Sequence, residues 1–418
     1  MKYAPAILVG RLVRFAARLR KPGGGSAVPG LIVNRIAPGY LKSTLSGFPQ
    51  GLVVVSGSSG KSTTTKMLVA ILRAHGERVF TNPSTANISQ GLTSALLEQA
   101  DWRGRVPGDV AVLEMDEGHG ALVMQGVDAR IVTLTNVMVD QIDRFHDSEM
   151  VAGMLARIAD RAHEAVVANA DDAYLMRLAA ALRPEVAVRR FGVSADVLAA
   201  APRGLGHTET SPTRLDPADG VVVASVDGAS TVLADGAASV PVGLPARGTH
   251  YAVDAAAAYA TAKQVLGERF SSETAAAALS AIPAVFGRGE RVTVRGQEVD
   301  FVLVQNPASY QLNVDSIAPG TEQVLFAIGS DVRDPSYFWP ADASSLGRVS
   351  IVSGSKAAEA ALMLAYDGVE IDRVEPDLGR ALDDFLAAPA PASGIKTIVF
   401  SADSMRRTRS HLGLTGAE

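Results

Sequence analysis

Cysteine is absent from this 418-residue chain. That excludes disulfides, thiolate zinc sites and a cysteine nucleophile, and it fits a reducing compartment. Also missing is any apolar run near the roughly 18 uncharged residues that a membrane-spanning helix needs. The sequence therefore reads as a soluble protein. Acidic residues are missing locally: none precedes Glu77. Eleven Lys/Arg stand before it, namely Lys2, Arg11, Arg14, Arg18, Arg20, Lys21, Arg35, Lys42, Lys61, Lys66 and Arg73. The whole chain carries −5, so the 342 residues from Glu77 onward carry −16. A basic, acid-free segment of this length suits an anionic neighbour such as phosphate, lipid surface or nucleic acid. It also suits a basic helix packed on an acidic domain. What is present otherwise is ordinary: 47% hydrophobic and 20% charged residues, which excludes disorder and coiled coil.

Length suggests two or three domains. Residues 5–20 place apolar positions at helical spacing with arginines on the other face, and the Pro22–Ser26 stretch breaks that helix as a linker. From Leu52, strands alternate with amphipathic helices: Leu52–Ser56, Arg78–Thr81, Val110–Met115, Arg130–Thr135, Ala165–Asn169 and Val186–Phe191. Such alternation predicts an α/β fold with a parallel sheet wound by helices on both faces. The pattern loosens over 192–242, where Pro, Gly, Thr and Asp accumulate around short strand-like pieces such as Val221–Val226. Two Ala-rich helices follow. A second alternating series (Phe301–Gln305, Val324–Ile328, Val349–Ser353, Gly368–Val374, Lys396–Ser401) predicts a separate C-terminal Rossmann-like α/β domain. The expected division is 1–47, 48–286 and 287–418, with its last boundary near Gly287-Arg288-Gly289. No internal repeat is found.

The chemistry begins at Gly57-Ser58-Ser59-Gly60-Lys61-Ser62-Thr63, after a buried strand and opening a helix. Backbone N–H groups of such a loop cradle phosphates, its lysine reaches the β/γ-phosphates and its hydroxyl binds Mg²⁺. Val55 stands where the longer P-loop pattern has glycine, so the strand-before, helix-after context carries the assignment. Glu114, Asp116 and Glu117 follow the strand core Val110–Leu113, where Mg²⁺ ligands belong. For Asp116 and Glu117 a plain surface turn is the alternative. The next strands end in Thr135-Asn136, Asp140 to Phe145, and Asn169-Ala170-Asp171-Asp172. Three strands thus deliver polar clusters to one edge, as a ligand site at carboxyl ends requires.

GSSGKSTTT, VLEMDEG, TNVMVDQIDRF and NADD, in that order and spacing, resemble the Mur ligase family of ATP-dependent amide-bond-forming enzymes. Asp140-Gln141-Ile142-Asp143 stands at the family's DHLD-like motif, and glutamine there is similar to the MurT branch. Thr81-Asn82-Pro83 with Ala86-Asn87, Gln305-Asn306-Pro307-Ala308 and the stretch Asp334 to Asp342 resemble further MurT segments. The likeness spans nearly the whole chain.

That resemblance implies a Mur-type central ATPase domain and a two-step reaction. ATP phosphorylates the α-carboxylate of D-glutamate in the lipid II peptidoglycan stem, and ammonia displaces the phosphate. The implied catalytic residues are Lys61, Asp140, Arg288 in the hinge and Asp334. The implied nucleotide site adds Asn87, Asn136, His250 and Asp254 to the phosphate loop, with Ser62 and Glu114 for Mg²⁺. Asp334 would complete the Cys-His-Asp triad of a class I glutaminase partner of the GatD kind. No nucleic acid is expected. A cytoplasmic location is expected, and the basic segment before Glu77, read from its charge alone, is expected to make a peripheral contact with the inner face of the plasma membrane or to pack on an acidic domain.

This sequence departs from that branch in several places. The branch's four-cysteine zinc ribbon is missing, so no structural zinc is expected, and His207 alone reads as a solvated loop histidine. Tyr251 and Asp254 replace the asparagines of the GxHNxxN motif. Two other readings stay open: a stand-alone amino-acid ligase like folylpolyglutamate synthetase, and a nucleotide-binding scaffold without turnover.

Overall fold

The computed structural model describes residues 3–20, 27–83, 88–101, 103–138, 147–201, 203–283, 288–304, 306–318, 320–333 and 338–414. Three helices come first: α1 (Ala4–Arg20), α2 (Val28–Ile36) and α3 (Tyr40–Leu45). The alternating series is β1 (Leu52–Ser56), α4 (Lys61–Ala74), β2 (Val79–Thr81), α5 (Ser89–Gln99), β3 (Val110–Glu114) and α6 (Glu117–Val123). It continues as β4 (Ala129–Leu134), α7 (Ser148–Ala159), β5 (Ala162–Asn169), α8 (Ala173–Ala180), β6 (Ala187–Val193) and α9 (Ala195–Ala199). Next come β7 (Val221–Asp227), β8 (Ser230–Asp235), β9 (Ala238–Gly243), α10 (Thr249–Leu266) and α11 (Ser272–Ser280).

These strands form one nine-stranded sheet in the order β2-β3-β1-β4-β5-β6-β7-β8-β9. Pairing is parallel as far as β7. Both faces are covered, because β1 sends Leu52 and Val54 into one apolar layer and Val53 and Val55 into the other. Strands buried on both faces need apolar residues at every position, which is why β1 and β3 read as unbroken hydrophobic runs. Helix α10 is buried nearly all round, and its run Ala255–Ala258 lies fully inside against the sheet. Small side chains let a helix sit that deep.

The expectation of a parallel sheet is corrected at one edge. β7, β8 and β9 pair antiparallel, and the two hairpins turn at Gly228-Ala229 and Gly236-Ala237, each just after an aspartate. Asp-Gly between alternating strands is a strong hairpin signal, and it was legible inside the stretch read as loosened.

The second sheet collects β10 (Arg288–Val294), β11 (Gln297–Leu303), β12 (Val324–Ala327), β14 (Ile351–Ser353), β16 (Val374–Glu375) and β17 (Lys396–Phe400). Their order is β10-β11-β17-β12-β14-β16, with only the β10–β11 pair antiparallel. A separate short pair joins β13 (Arg348–Val349) to β15 (Glu370–Ile371). The sequence reads Val349–Ser353 and Gly368–Val374 as one strand each; in the fold each is split between these two sheets. Helices α12 (Pro307–Ser316) and α13 (Ala357–Tyr366) cover one face, α14 (Leu378–Ala387) and α15 (Ala402–His411) the other.

Helix α1 forms as the periodicity predicts, but its bulkiest apolar side chains point away from the protein. Ala6, Ile7 and Gly10 face the protein, while Leu8, Leu12 and Phe15 face solvent. Arg11 donates to the Ala100 carbonyl, and Arg14 pairs with Glu98.

Candidate active site

The phosphate loop hangs from the end of β1, between the ends of β3 and β4. Gly57 and Gly60 have φ of +137° and +80°, and a Cβ at these positions would meet Thr135 Oγ1 at 2.1 Å and Asp254 Oδ1 at 2.2 Å. Any other residue would be strained and blocked. The turn delivers Lys61 to the first position of α4, so the loop amides and the helix N-terminus face the same space.

Neighbouring strand ends hold that loop rigid. Thr135 Oγ1 donates to the Ser59 carbonyl at 2.6 Å, and Asn136 Oδ1 accepts from Ser59 N at 2.8 Å. The Ser58 hydroxyl accepts from Met138 N at 3.1 Å, so this side chain serves the loop and not the cleft. Asn169 donates to the Thr135 carbonyl at 3.0 Å, which ties the end of β5 into the same lattice.

Two pairs carry the charge. Ser62 Oγ donates to Glu114 Oε1 at 2.7 Å. Lys61 Nζ donates to the carbonyls of Gly57 and Ser58 and lies 3.2 Å from Glu117 Oε2. Glu117 is buried, not part of a surface turn, and Asp116 caps α6 by accepting from His119 N at 2.9 Å. Glu114 is fixed through its own backbone: Asn82 accepts from its N–H at 3.0 Å and donates to its carbonyl at 3.1 Å. The sequence signal for Glu117 was the three carboxylates of EMDEG. For Asn82 as the clamp on Glu114 there was none.

A narrow cleft runs from Ser59, Gly60 and Thr63 past Asn136 to His207, His250 and Asp254, and the second sheet's Leu303, Ser309 and Asn313 close its far side. Asp254 lies against Gly60 and accepts from Thr64 Oγ1 at 3.3 Å, so it braces the loop. His250 packs on Tyr251 with ring centroids 4.2 Å apart. The solvated reading of His207 is wrong. Its side chain is 2% exposed, and its Nδ1 lies 3.2 Å from Asp172 Oδ2. Asp172 also accepts from Val137 N and Leu175 N, at 2.6 and 3.1 Å. His207 Nε2 is buried and has no hydrogen-bond partner. Asp171 next door accepts from Val193 N at 2.8 Å and Arg214 at 2.7 Å. Burial nonetheless raises its carboxyl above the usual range.

Gly57, Ser58, Ser59, Gly60, Lys61, Ser62, Thr63, Glu114, Asn136, His250 and Asp254 therefore meet around one loop and one cleft. Asn87, Asp140 and Asp334 lie outside the described residues, as does the side chain of Arg288, whose backbone opens β10.

Residues 55–272 match the family model described as the Mur ligase middle domain. The chain belongs to the Mur ligase family. It is 25% identical over 416 residues to the lipid II isoglutaminyl synthase subunit MurT of Streptococcus pneumoniae, covering 90% of this chain and 89% of that one. With the corresponding subunit of Staphylococcus aureus it is 29% identical over 178 residues, 43% of this chain and only 39% of the relative. Among solved structures, MurF of Acinetobacter baumannii superposes with TM-score 0.66 at 17% identity, over 92% of this chain and 80% of that one. Folylpolyglutamate synthase of Mycobacterium tuberculosis gives 0.63 at 17% identity, over 96% and 98%. These structural likenesses establish the Mur ligase fold across both sheets.

Proposed function

We propose that this Mur ligase uses ATP to activate a carboxylate as an acyl phosphate and then amidates it with ammonia. The acceptor is the α-carboxylate of D-glutamate in the lipid II stem, and the ammonia comes from a class I glutaminase subunit of the GatD kind. The observation that carries this reading is the likeness to the pneumococcal MurT along nine-tenths of both chains. The domains divide at 47/48 and 286/287, and the protein works in the cytoplasm.

In the first step a carboxylate oxygen attacks the γ-phosphorus, the bond to the β–γ bridging oxygen breaks, and ADP leaves. Lys61 and the loop amides stabilise the charge that moves between the phosphates. Glu117 and the Gly57 and Ser58 carbonyls hold the Lys61 ammonium at the loop, from which it would turn to a bound γ-phosphate. Ser62 and Glu114 present adjacent hard oxygens, the donor set that suits Mg²⁺ alongside phosphates and water. That ion, when bound, screens the phosphate charge. In the second step the ammonia nitrogen attacks the carbonyl carbon, the carbon–oxygen bond breaks, and inorganic phosphate departs with the bonding pair. The surplus proton passes to solvent. Asp140 is assigned to the catalytic set, and Arg288, in the hinge, would reach the phosphates when the last domain closes and excludes water from the intermediate.

The test is amidation of lipid II by the chain alone with ammonium chloride, and by the chain plus glutaminase with glutamine. In the Asp334→Asn variant glutamine-fed amidation should collapse, by about 10⁴-fold if the aspartate orients a triad histidine. Ammonium-fed amidation should persist. If both fall together, Asp334 belongs to the ligase chemistry. If neither changes and a free amino acid replaces ammonia, the stand-alone ligase is the correct reading.

A further inference from the structure

Helix α1 packs Ala6, Ile7 and Gly10 on the protein and leaves a second, bulkier apolar stripe outside. Leu8, Leu12 and Phe15, one stripe at helical spacing, are 61%, 60% and 65% exposed. Val28, Leu31 and Ile36 of α2 are exposed as well, and an apolar groove lined by Tyr3, Pro5, Val9, Ile36 and Pro38 joins the two helices. Isolated exposed hydrophobics need no explanation, but a contiguous cluster on two adjacent helices does. Among the described residues no helix is long and apolar enough to cross a membrane.

Charge selects the occupant. The patch belongs to the stretch before β1, which carries eight Lys/Arg and no acid. Arg35 and Lys42 lie exposed on its α2–α3 side. The acid reaching α1 from α5, Glu98, is taken up by Arg14. An RNA partner would leave the leucines and Phe15 in water. From this we infer that α1 and α2 dock flat on an anionic bilayer surface. Leu8, Leu12 and Phe15 enter the headgroup–acyl boundary, and the surrounding cations meet the lipid charge. Apolar insertion and cation attraction are both needed, since either alone gives weak, reversible binding. The geometry stands apart from the ligase reading, because none of these residues touches the phosphate loop or the cleft.

The experiment is co-sedimentation of the full chain with vesicles of phosphatidylcholine plus phosphatidylglycerol, and with phosphatidylcholine alone. Binding should require phosphatidylglycerol and weaken as salt rises. The Leu12→Glu/Phe15→Glu variant should lose roughly tenfold or more of its partitioning. Arg35→Glu should weaken it without touching α1, and Leu362→Glu, an exposed leucine on α13, should leave it unchanged. Thermal melts of all variants should match the parent, since every altered side chain is exposed. Equal binding by the double variant and the parent overturns the proposal. So does a concentration-dependent dimer that the double variant dissolves while vesicles bind neither protein; the face then belongs to a second copy of the chain.

Discussion

At the scale of single residues, the proposed function separates groups that would act on phosphate from groups that hold them in place. Lys61 is the first kind. Lys61→Ala should lower acceptor-dependent phosphate release by about 10²–10³, the size of losing one fixed charge-stabilising donor, and should lower the melting temperature as well, because buried Glu117 loses its charge partner. Unaltered turnover would remove the phosphate loop from the chemistry. His207 is of the second kind. It is braced on Asp172 through Nδ1 and lines the cleft beside Asn136. Its buried Nε2 is desolvated without a partner, and under the proposed function a nucleotide group in that cleft would supply one. His207→Phe keeps the volume and removes both nitrogens. We expect KM for ATP to rise roughly tenfold with kcat little changed, the signature of lost binding shared by ground and transition states. Equal loss in kcat would instead show that the substitution disturbs the loop through Asp172.

At the scale of elements, α12 shows how packing overrules hydrogen bonding. Asn306 and Ser309 form a reciprocal cap at its start. One turn on, Tyr310 is driven edge-on between Phe326 and Phe338, with centroids 5.8 and 5.3 Å away. Its hydroxyl is buried without a partner, and burial pushes its pKa upward. Since that oxygen is desolvated for no return, Tyr310→Phe should be neutral or stabilise by about 1 kcal/mol in denaturant unfolding. A loss above that would mean the hydroxyl holds a bond to water. Helix α14 ends differently: Lys396 on β17, itself buried, donates to the carbonyls of Phe385 and Ala388 at 2.7 and 2.6 Å, replacing water at the C-terminus. Desolvation lowers the pKa of that lysine.

At the scale of the whole molecule, the two sheets are latched by Arg203, which bonds Asp315 at 2.7 Å and Asp342 at 2.5 Å. Hydrogen bonds from Ser344, with help from Arg203, hold Asp342 down at about 2, whereas burial raises Asp315. A depressed carboxylate contributes stability above its unfolded value near ~3.9 and loses it as pH falls through the folded value. On acidification Asp315 is therefore the first to release Arg203, and Asp342 holds until pH approaches 2. All three side chains are partly exposed, so the latch governs domain closure more than global stability. Arg203→Ala should shift the melting temperature by about 2 °C or less. Small-angle scattering should show a more open particle, and the parent should open in the same way at high salt. Identical scattering curves would show that the closed arrangement rests on apolar contacts around the cleft.

The sequence alone determined the phosphate loop, the strands before and after it along the chain and the polar strand ends, because each is written in contiguous residues. G-x-x-G-K-S dictates its own backbone, and strands buried on both faces must be apolar throughout. The Asp-Gly hairpins of β7–β9 were equally local, and only their reading failed. Tertiary structure alone decided what lies far apart in the chain. It set Lys61 against Glu117, 56 residues on, and Thr64 against Asp254, 190 on. It also buried His207 on Asp172, 35 residues back. Helix α1 makes the same point in reverse. Its periodicity fixed two faces, but which one turns inward depended on the Ala100 carbonyl and Glu98 waiting on α5 and its exit. A pattern names the faces of a helix; the surface it meets chooses between them.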